Sequence, residues 1–255
     1  MLLQRLLLLS ALGCVLYFPG LSSAAPPQPN AKEILDAMDA NMTFESRTAT
    51  MTMTVEGRRR TRVYEMQSYG RGTTDSALTY LKPTRDKGTK MLKLGNDLWI
   101  YMPSIDRTQK ISGHMLRKGM MGSDLSYEDM MAADALEDSY TSTVIGSETL
   151  NGRACWKLEM LAKDATVSYP KRITWIDKEH FIALKQELFA LSGMLLKTWT
   201  MTNIASYGER RHFPTKMVIQ DQIKKGSRTI IEFTDLTFGV DLPNEVFSKR
   251  WLERK

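Results

Sequence analysis

The stretch ATMTMTVEG, residues 49–57, alternates threonine with alanine, methionine and valine. One face carries three threonines, and the other carries Ala49, Met51, Met53 and Val55. Because successive side chains of a strand point to opposite sides of the sheet, this pattern predicts a half-buried β-strand. The methionine face must then be covered by the protein's own core or by another apolar molecule.

Runs of strand length separated by turn residues continue through most of the chain. Gly95 with Asn96, and Asn151 with Gly152, are hairpin signals between apolar runs. Seven successive strand-like runs in the second half exclude alternating βα units, and with them a doubly wound nucleotide-binding fold. The pattern predicts one strongly curved antiparallel sheet of about ten or eleven strands that encloses its inner face.

One segment before the first strand has helical periodicity. Residues 30–42 place Ile34 and Met38 on an apolar stripe, and Asn30 with Glu33 forms a capping-box pattern. The sequence therefore predicts an N-terminal helix whose apolar side covers the sheet.

A second irregular segment interrupts the strands in mid-chain. Residues 112–134 hold three glycines and five methionines. Ser126 with Asp129 predicts the start of a short helix that carries Met130 and Met131. We expect a mobile loop with a short helix, inserted between two runs of strands.

Residues 1–24 have the features of a secretory signal peptide. A basic residue precedes an apolar run over 6–18, and small residues lead to Ala24. The run is too short to span a bilayer. We expect cleavage after Ala24 and one domain over residues 25–255. Lipoprotein processing at Cys14 is the alternative, because ALGC is similar to a lipobox.

The sequence offers few groups for catalysis. His114, His180 and His212 lie in separate segments, without the paired spacing of a metal site. Ser123 is better explained by a turn than as a nucleophile, and Cys155 as a small buried hydrophobe. With the signal removed, Cys155 is the only cysteine, which excludes an intrachain disulfide. We expect no enzymatic activity, no metal and no cofactor.

The densest basic cluster is GRRRTR, residues 57–62, at a predicted hairpin turn. Two interpretations stay open: a solvated turn, or a docking patch for a phospholipid surface or an acidic partner. The net charge of +6 suits anionic partners but is also common on inert surfaces. Nucleic acid is disfavoured, because the cluster lacks stacking aromatics. Its basic residues are Arg58, Arg59, Arg60 and Arg62.

The chain contains 17 methionines, in predicted strands and in the segments that could cover them. Methionine packs adaptably around varied apolar partners. Core packing explains any one of them, but together with a curved sheet they favour a fillable cavity. The predicted lining residues are Met51, Met53, Val55, Tyr64, Met66, Met91, Trp99, Tyr101, Trp156, Leu158, Met160 and Trp175. The predicted lid residues are Ile34, Met38, Met120, Met121, Met130 and Met131.

The stretches NDLWIYMPSIDRTQKIS and MGSDLSYEDM resemble the LolA/LolB-like superfamily, in particular its outer-membrane lipoprotein-sorting proteins. The end, FTDLTFGVDLPNEVFS, is similar to the closing strand and turn of the same group. The resemblance implies a mainly β fold: a single unclosed antiparallel barrel of about eleven strands, with the N-terminal helix and the inserted segment as a lid. It also implies an arginine at the cavity mouth, for which Arg47 and Arg62 are candidates.

The function implied by the resemblance is that of a monomeric periplasmic carrier. It would bind the acyl chains of a lipoprotein or other lipid and pass them towards the outer membrane, between inner- and outer-membrane protein partners. Each methylene hidden from water is worth about 0.8 kcal/mol, so a long acyl chain needs an escort through water. The alternative is a lipid-sensing interaction module or an accessory protein of an envelope export system.

Overall fold

A computed structural model describes residues 28–131, 136–208 and 211–254 of the chain. The expected signal segment, with Cys14, lies outside these residues. The described helices are α1 (Ala31–Met42), α2 (Tyr127–Met131), α3 (Leu136–Ser139) and α4 (Lys249–Glu253), and the 3₁₀ turns are Thr84–Asp86, Pro103–Ile105, Gly113–Met115, Met120–Gly122 and Asn244–Phe247. The strands are β1 (Ser46–Glu56), β2 (Thr61–Arg71), β3 (Asp75–Lys82), β4 (Lys90–Leu94), β5 (Asp97–Met102), β6 (Arg107–Ile111), β7 (Tyr140–Leu150), β8 (Arg153–Ala162), β9 (Lys171–Asp177), β10 (Ala183–Phe189), β11 (Leu195–Tyr207), β12 (Arg211–Asp221) and β13 (Arg228–Phe238).

All of these strands form one antiparallel sheet in the order β6-β5-β4-β3-β2-β1-β13-β12-β11-β10-β9-β8-β7. Two meanders, β1 to β6 and β7 to β13, are joined where the first strand pairs with the last. The mainly β fold with one unclosed antiparallel sheet, expected from the sequence, is confirmed. The edge strands β6 and β7 are consecutive in the chain, so the segment between them has to cross from one edge of the sheet to the other.

The sheet has thirteen strands, two more than the resemblance implied. The strand missed by the sequence pattern is β6, which pairs only with β5. Its five residues carry two basic side chains and bury only Ile111, so they show neither the alternation of β1 nor the buried run of β5. A short polar strand of this kind is typical of a protected sheet edge.

The alternation in β1 is confirmed: its methionine face is buried and its threonines are half-buried. Met51 lies opposite Met66 and Met53 opposite Tyr64 in β2. On the other side, Met53 faces Ile231 of β13. This surface is the inner face of the curved sheet, and it continues into one large apolar cluster over β1 to β6.

Helix α1 covers the other end of the inner face. Its predicted capping box is present, because Asn30 Oδ1 accepts from the backbone N–H of Glu33 and Glu33 Oε2 accepts from that of Asn30. Ile34, Leu35 and Met38 are buried against a second apolar cluster of β8 and β9. α1 therefore packs on the sheet through its apolar side, as the sequence predicted.

Candidate functional site

The lid is the described part of the segment between β6 and β7, residues 112–131 and 136–139, which lies on the inner face. Met120 of the lid is fully buried. Met121, Met130 and Met131 are partly buried against the same cluster as Met53 and Met66. The lid therefore closes the inner face over β1 to β6, while α1 closes it over β7 to β9.

Polar contacts hold residues 121–124 of the lid against the sheet. Arg62 of β2 donates two hydrogen bonds to backbone carbonyls, from Nη1 to Met121 O at 2.9 Å and from Nη2 to Gly122 O at 3.2 Å. Asp124 is buried, and its carboxylate accepts from Ser227 Oγ at 2.7 Å. The loop expected to be mobile is thus anchored through a cation and a carboxylate that the methionine pattern did not reveal.

A second set of polar contacts holds the lid at Asp129. Lys197 Nζ lies 2.6 Å from Asp129 Oδ2, and Tyr169 Oη donates to Oδ1 at 2.7 Å. Ser126 and Asp129 also exchange the two capping hydrogen bonds predicted from the sequence. The Asp129 side chain is only 2% exposed. A carboxylate this deeply buried depends on its partners, because removal of Lys197 would leave the Asp129 charge buried and unpaired.

Between α1 and the lid, part of the inner face over β9 to β12 is left uncovered, and a half-open pocket of about 390 Å³ lies there. This volume is within the roughly 300–1,000 Å³ typical of small-molecule sites. Most of the lining surface is apolar, and four methionines contribute to it. The lining residues are Met38, Asp39, Met42, Thr43, Thr73, Asp129, Leu136, Arg172, Ile182, Ala183, Gln186, Leu188, Trp199, Met201, Pro214 and Met217.

Nine of the twelve predicted lining residues lie on the inner face but beneath a cover. Those under the lid are Met51, Met53, Val55, Tyr64, Met66 and Met91. Those under α1 are Trp156, Leu158 and Met160. None of these nine residues lines the open pocket, and together they form the closed core on either side of the pocket. Of the predicted lid residues, Met38 lines the pocket.

The other three predicted lining residues lie on the outer face, which corrects the prediction. Trp99 and Tyr101 pack in a cluster with α4 and the turn before it. Trp175 packs with Cys155 and Ile173 and donates from Nε1 to Glu148 at 2.7 Å. β5 and β9 are buried on both faces, so the expected one-sided burial did not show which of their side chains face the inside of the sheet.

The sequence did not single out the pocket's floor. Leu188, Trp199, Met201 and Met217 come from β10, β11 and β12, and Met201 faces Met217 directly in the register. Both methionines were assigned to strands from the sequence, and this was the available indication that they could line a cavity. Which part of a buried face stays uncovered depends on the path of the lid, and strand patterns carry no information about that path.

The arginines predicted at a mouth or docking surface are dispersed. Arg62 holds the lid, as described. Arg47 is half-buried beside the rings of Phe44, Phe213 and Phe233, with its Cζ 4.7 to 6.0 Å from their centroids. Burial lowers the pKa of Arg47 to about 10.

The three arginines of the β1–β2 turn are exposed. Arg58 Nε donates to the carbonyl of Lys225 in the β12–β13 turn, which also presents the exposed side chain of Ile223. Arg59 and Arg60 lie beside it in the chain. These two turns therefore form a basic surface patch with one apolar side chain.

The candidate nucleophiles have structural surroundings. Ser123 is buried, and its Oγ donates to Leu125 O at 3.1 Å. Cys155 is buried, and burial raises the pKa of its thiol, which opposes thiolate formation. Across the described ranges, no three His, Cys, Asp or Glu side chains are grouped to hold a metal ion. In the same residues, no helix is long and apolar enough to cross a membrane.

A family model described as "uncharacterized protein" matches residues 72–254. The chain belongs to that family. Its structural relatives are DUF1329 and LolA-superfamily proteins, which confirms the LolA-like resemblance. Among curated proteins, no significant match was found.

Three solved structures share the fold. A DUF1329 family protein from Desulfovibrio piger superposes with a TM-score of 0.80 at 22% identity, over 86% of this chain and 96% of that one. A domain assigned as an outer-membrane lipoprotein-sorting protein from Vibrio parahaemolyticus gives 0.79 at 26%, over 87% and 97%. The LolA superfamily protein NE2245 from Nitrosomonas europaea gives 0.71 at 24%, over 88% and 100%.

Proposed function

We propose that this protein is a periplasmic carrier that binds the acyl chain of a lipid or lipoprotein in the pocket between α1 and the lid. The observation that carries the proposal is the half-open, mainly apolar pocket on the inner face of an unclosed sheet. Methionine side chains line it, and they adapt to flexible hydrocarbon at little cost. The likeness to a lipoprotein-sorting domain supports the same role.

The covers explain how such a pocket would take up a long chain. The apolar core continues beneath the lid, where Met120, Met121 and Met130 meet the sheet. For cargo too large for the pocket alone, displacing these side chains would extend the pocket over β1 to β6 without separating any strands. The anchors at Arg62 and Asp129 would then determine how readily the lid moves. In this proposal transfer involves no covalent chemistry: the carrier takes cargo from an inner-membrane protein and passes it to an outer-membrane protein.

We further propose that residues 1–24 direct export and are removed, leaving one domain from residue 25 onwards. Export places the carrier in the aqueous space between two membranes, where an exposed acyl chain would be strongly disfavoured.

Ala183→Trp tests the pocket directly. Ala183 lines the pocket and is half-buried, so an indole there occupies space that the ligand needs. The purified variant should bind a fluorescent fatty-acyl probe at least about tenfold more weakly than the wild type. Leu191→Trp is the matched control, because Leu191 is 89% exposed in the β10–β11 turn and should leave binding unchanged. Equal probe binding by both variants would refute the pocket as the acyl site.

A further inference from the structure

Among the described residues that line the pocket, Arg172 is the only cation. It lies on the inner face of β9, with Met160 of β8 and Leu188 of β10 beside it in the register. The residue is 9% exposed. Its Nε donates to Tyr140 Oη at 2.8 Å, and the guanidinium lies over the rings of Tyr140 and Tyr169. These contacts hold the side chain, and neither terminal amino group donates to an acceptor among the residues that the structure describes.

The acids near the pocket do not neutralise this guanidinium. Within the described residues, no carboxylate oxygen lies within 4.0 Å of an Arg172 nitrogen. Asp129, which lines the pocket, is paired with Lys197 and accepts from Tyr169. Asp39 lines the pocket from α1, and Glu128 of the lid is hydrogen-bonded to Ser168 Oγ.

The two phenols around Arg172 do not supply the missing charge either. Burial raises the pKa of Tyr140 and that of Tyr169, so both rings stay neutral at physiological pH. A buried cation without a counter-charge is costly, and an anionic group bound in the pocket would supply that counter-charge.

A second unsatisfied donor lies in the same wall. Trp199 Nε1 is buried and has no acceptor among the described residues, although it borders the pocket. Gln186, which faces Trp199 across the β10–β11 register, adds an amide. An oxygen-rich group in the pocket would find the Arg172 guanidinium and the Gln186 amide along one side, next to the Trp199 ring.

We propose that Arg172 binds the anionic head group of an amphiphile, a carboxylate or a phosphate. In this arrangement the hydrocarbon chain lies along Met201 and Met217 and leaves the pocket past Met42. The inference rests on the proposed function and narrows its cargo to an acyl or alkyl chain ending in a negative charge. Guanidinium groups favour both carboxylate and phosphate oxygens, because their N–H groups form charge-assisted pairs.

The experiment compares three probes of equal chain length by competition with a fluorescent acyl probe: palmitate, palmityl phosphate and methyl palmitate. The wild-type protein should bind one or both anionic probes at least about tenfold more tightly than the neutral ester. The stronger anion identifies the head-group source. Equal affinity for all three would overturn the head-group inference while leaving the acyl pocket in place. No binding of any probe would overturn the carrier function itself.

Arg172→Gln should abolish the preference for anions and leave binding of methyl palmitate within about twofold of the wild type. Arg172→Lys should restore part of the preference, because it keeps the charge but loses the planar donors. Arg47→Gln is the matched control, since that guanidinium lies among phenylalanine rings outside the lining of the pocket. Retention of the anion preference in the Arg172→Gln variant would contradict the proposal, whatever the Arg47 variant does.

Discussion

Lys197 Nζ lies 2.6 Å from Asp129 Oδ2, and this ion pair joins the strand beneath the pocket to the helix of the lid. The side chains of Lys197 and Asp129 are 12% and 2% exposed. Pairs this well shielded from water are strongly coupled, because neither charge can be solvated if the other is removed. The pair is therefore both part of the fold and the contact that holds the lid beside the pocket.

Asp129→Asn should lower the free energy of unfolding by about 3–5 kcal/mol, because it leaves the Lys197 ammonium buried without a counter-charge. The double variant with Lys197→Met should recover part of that loss. Urea denaturation measures both. Glu65→Gln is the control: it breaks a largely exposed pair with Lys82 and should change stability by less than about 1 kcal/mol. Similar losses in the two single variants would contradict the buried role of Asp129.

Arg62→Met should loosen the lid without unfolding the sheet. The variant loses both hydrogen bonds to the carbonyls of Met121 and Gly122 while keeping an apolar stem. Amide hydrogen exchange in residues 119–126 should become at least about tenfold faster, and exchange in β1 should not change. Arg60→Met changes an exposed arginine in the adjacent β1–β2 turn and serves as control. Unchanged amide hydrogen exchange in the lid of the Arg62 variant would show that the Arg62 hydrogen bonds do not hold the lid.

Gly119→Ala should disturb the lid from within. A Cβ at this position would lie 2.0 Å from the backbone oxygen of Ser123, which cannot move aside without rebuilding the turn. We expect a loss of roughly 1–3 kcal/mol in the free energy of unfolding. Gly57→Ala is the matched control, because its Cβ would come no closer than 3.4 Å to another atom. A stable, unchanged Gly119→Ala protein would show that the turn is looser than described.

The stacked rings of His180 and His212 predict a pH dependence. Their centroids are 3.8 Å apart with an interplanar angle of 11°. Burial, and then the neighbouring His180, lowers the pKa of His212. In the unfolded chain this imidazole takes up its proton near the usual pKa of about 6.5, whereas in the folded chain it does so only at lower pH. The unfolded state therefore binds more protons in that interval, and stability falls as the pH drops below about 6.5.

His212→Gln should flatten part of this decline, measured as the urea midpoint between about pH 7.5 and pH 5. His114→Gln should keep the wild-type slope, because His114 is exposed in the lid, away from the stacked pair. If the profiles of the wild type and the His212 variant were parallel across this range, the stacked pair would not contribute to the pH dependence.

The sequence predicted the strands and helices of this fold better than it predicted which parts of the sheet the lid and α1 cover. The alternation in β1 correctly assigned Met51 and Met53 to a buried face, because one face of that strand is polar. In β9 nearly every side chain is buried, so the orientation of Trp175 depends on the sheet's register and was predicted wrongly. The pocket's position depends on where Asp124 and Asp129 fasten the lid, over separations of 40 to 105 residues. Local patterns carry no record of such contacts.

The central claim is that the inner face holds a closed core and a separate pocket for an acyl chain. Methyl-labelled methionine NMR tests it directly, because both regions contain methionines. On titration with palmitate, the methyl signals of Met42, Met201 and Met217 should shift first and furthest. The fully buried Met53 should change least. Saturable shifts confined to the pocket set would support the account, and the absence of shifts there, or larger shifts at Met53, would contradict it.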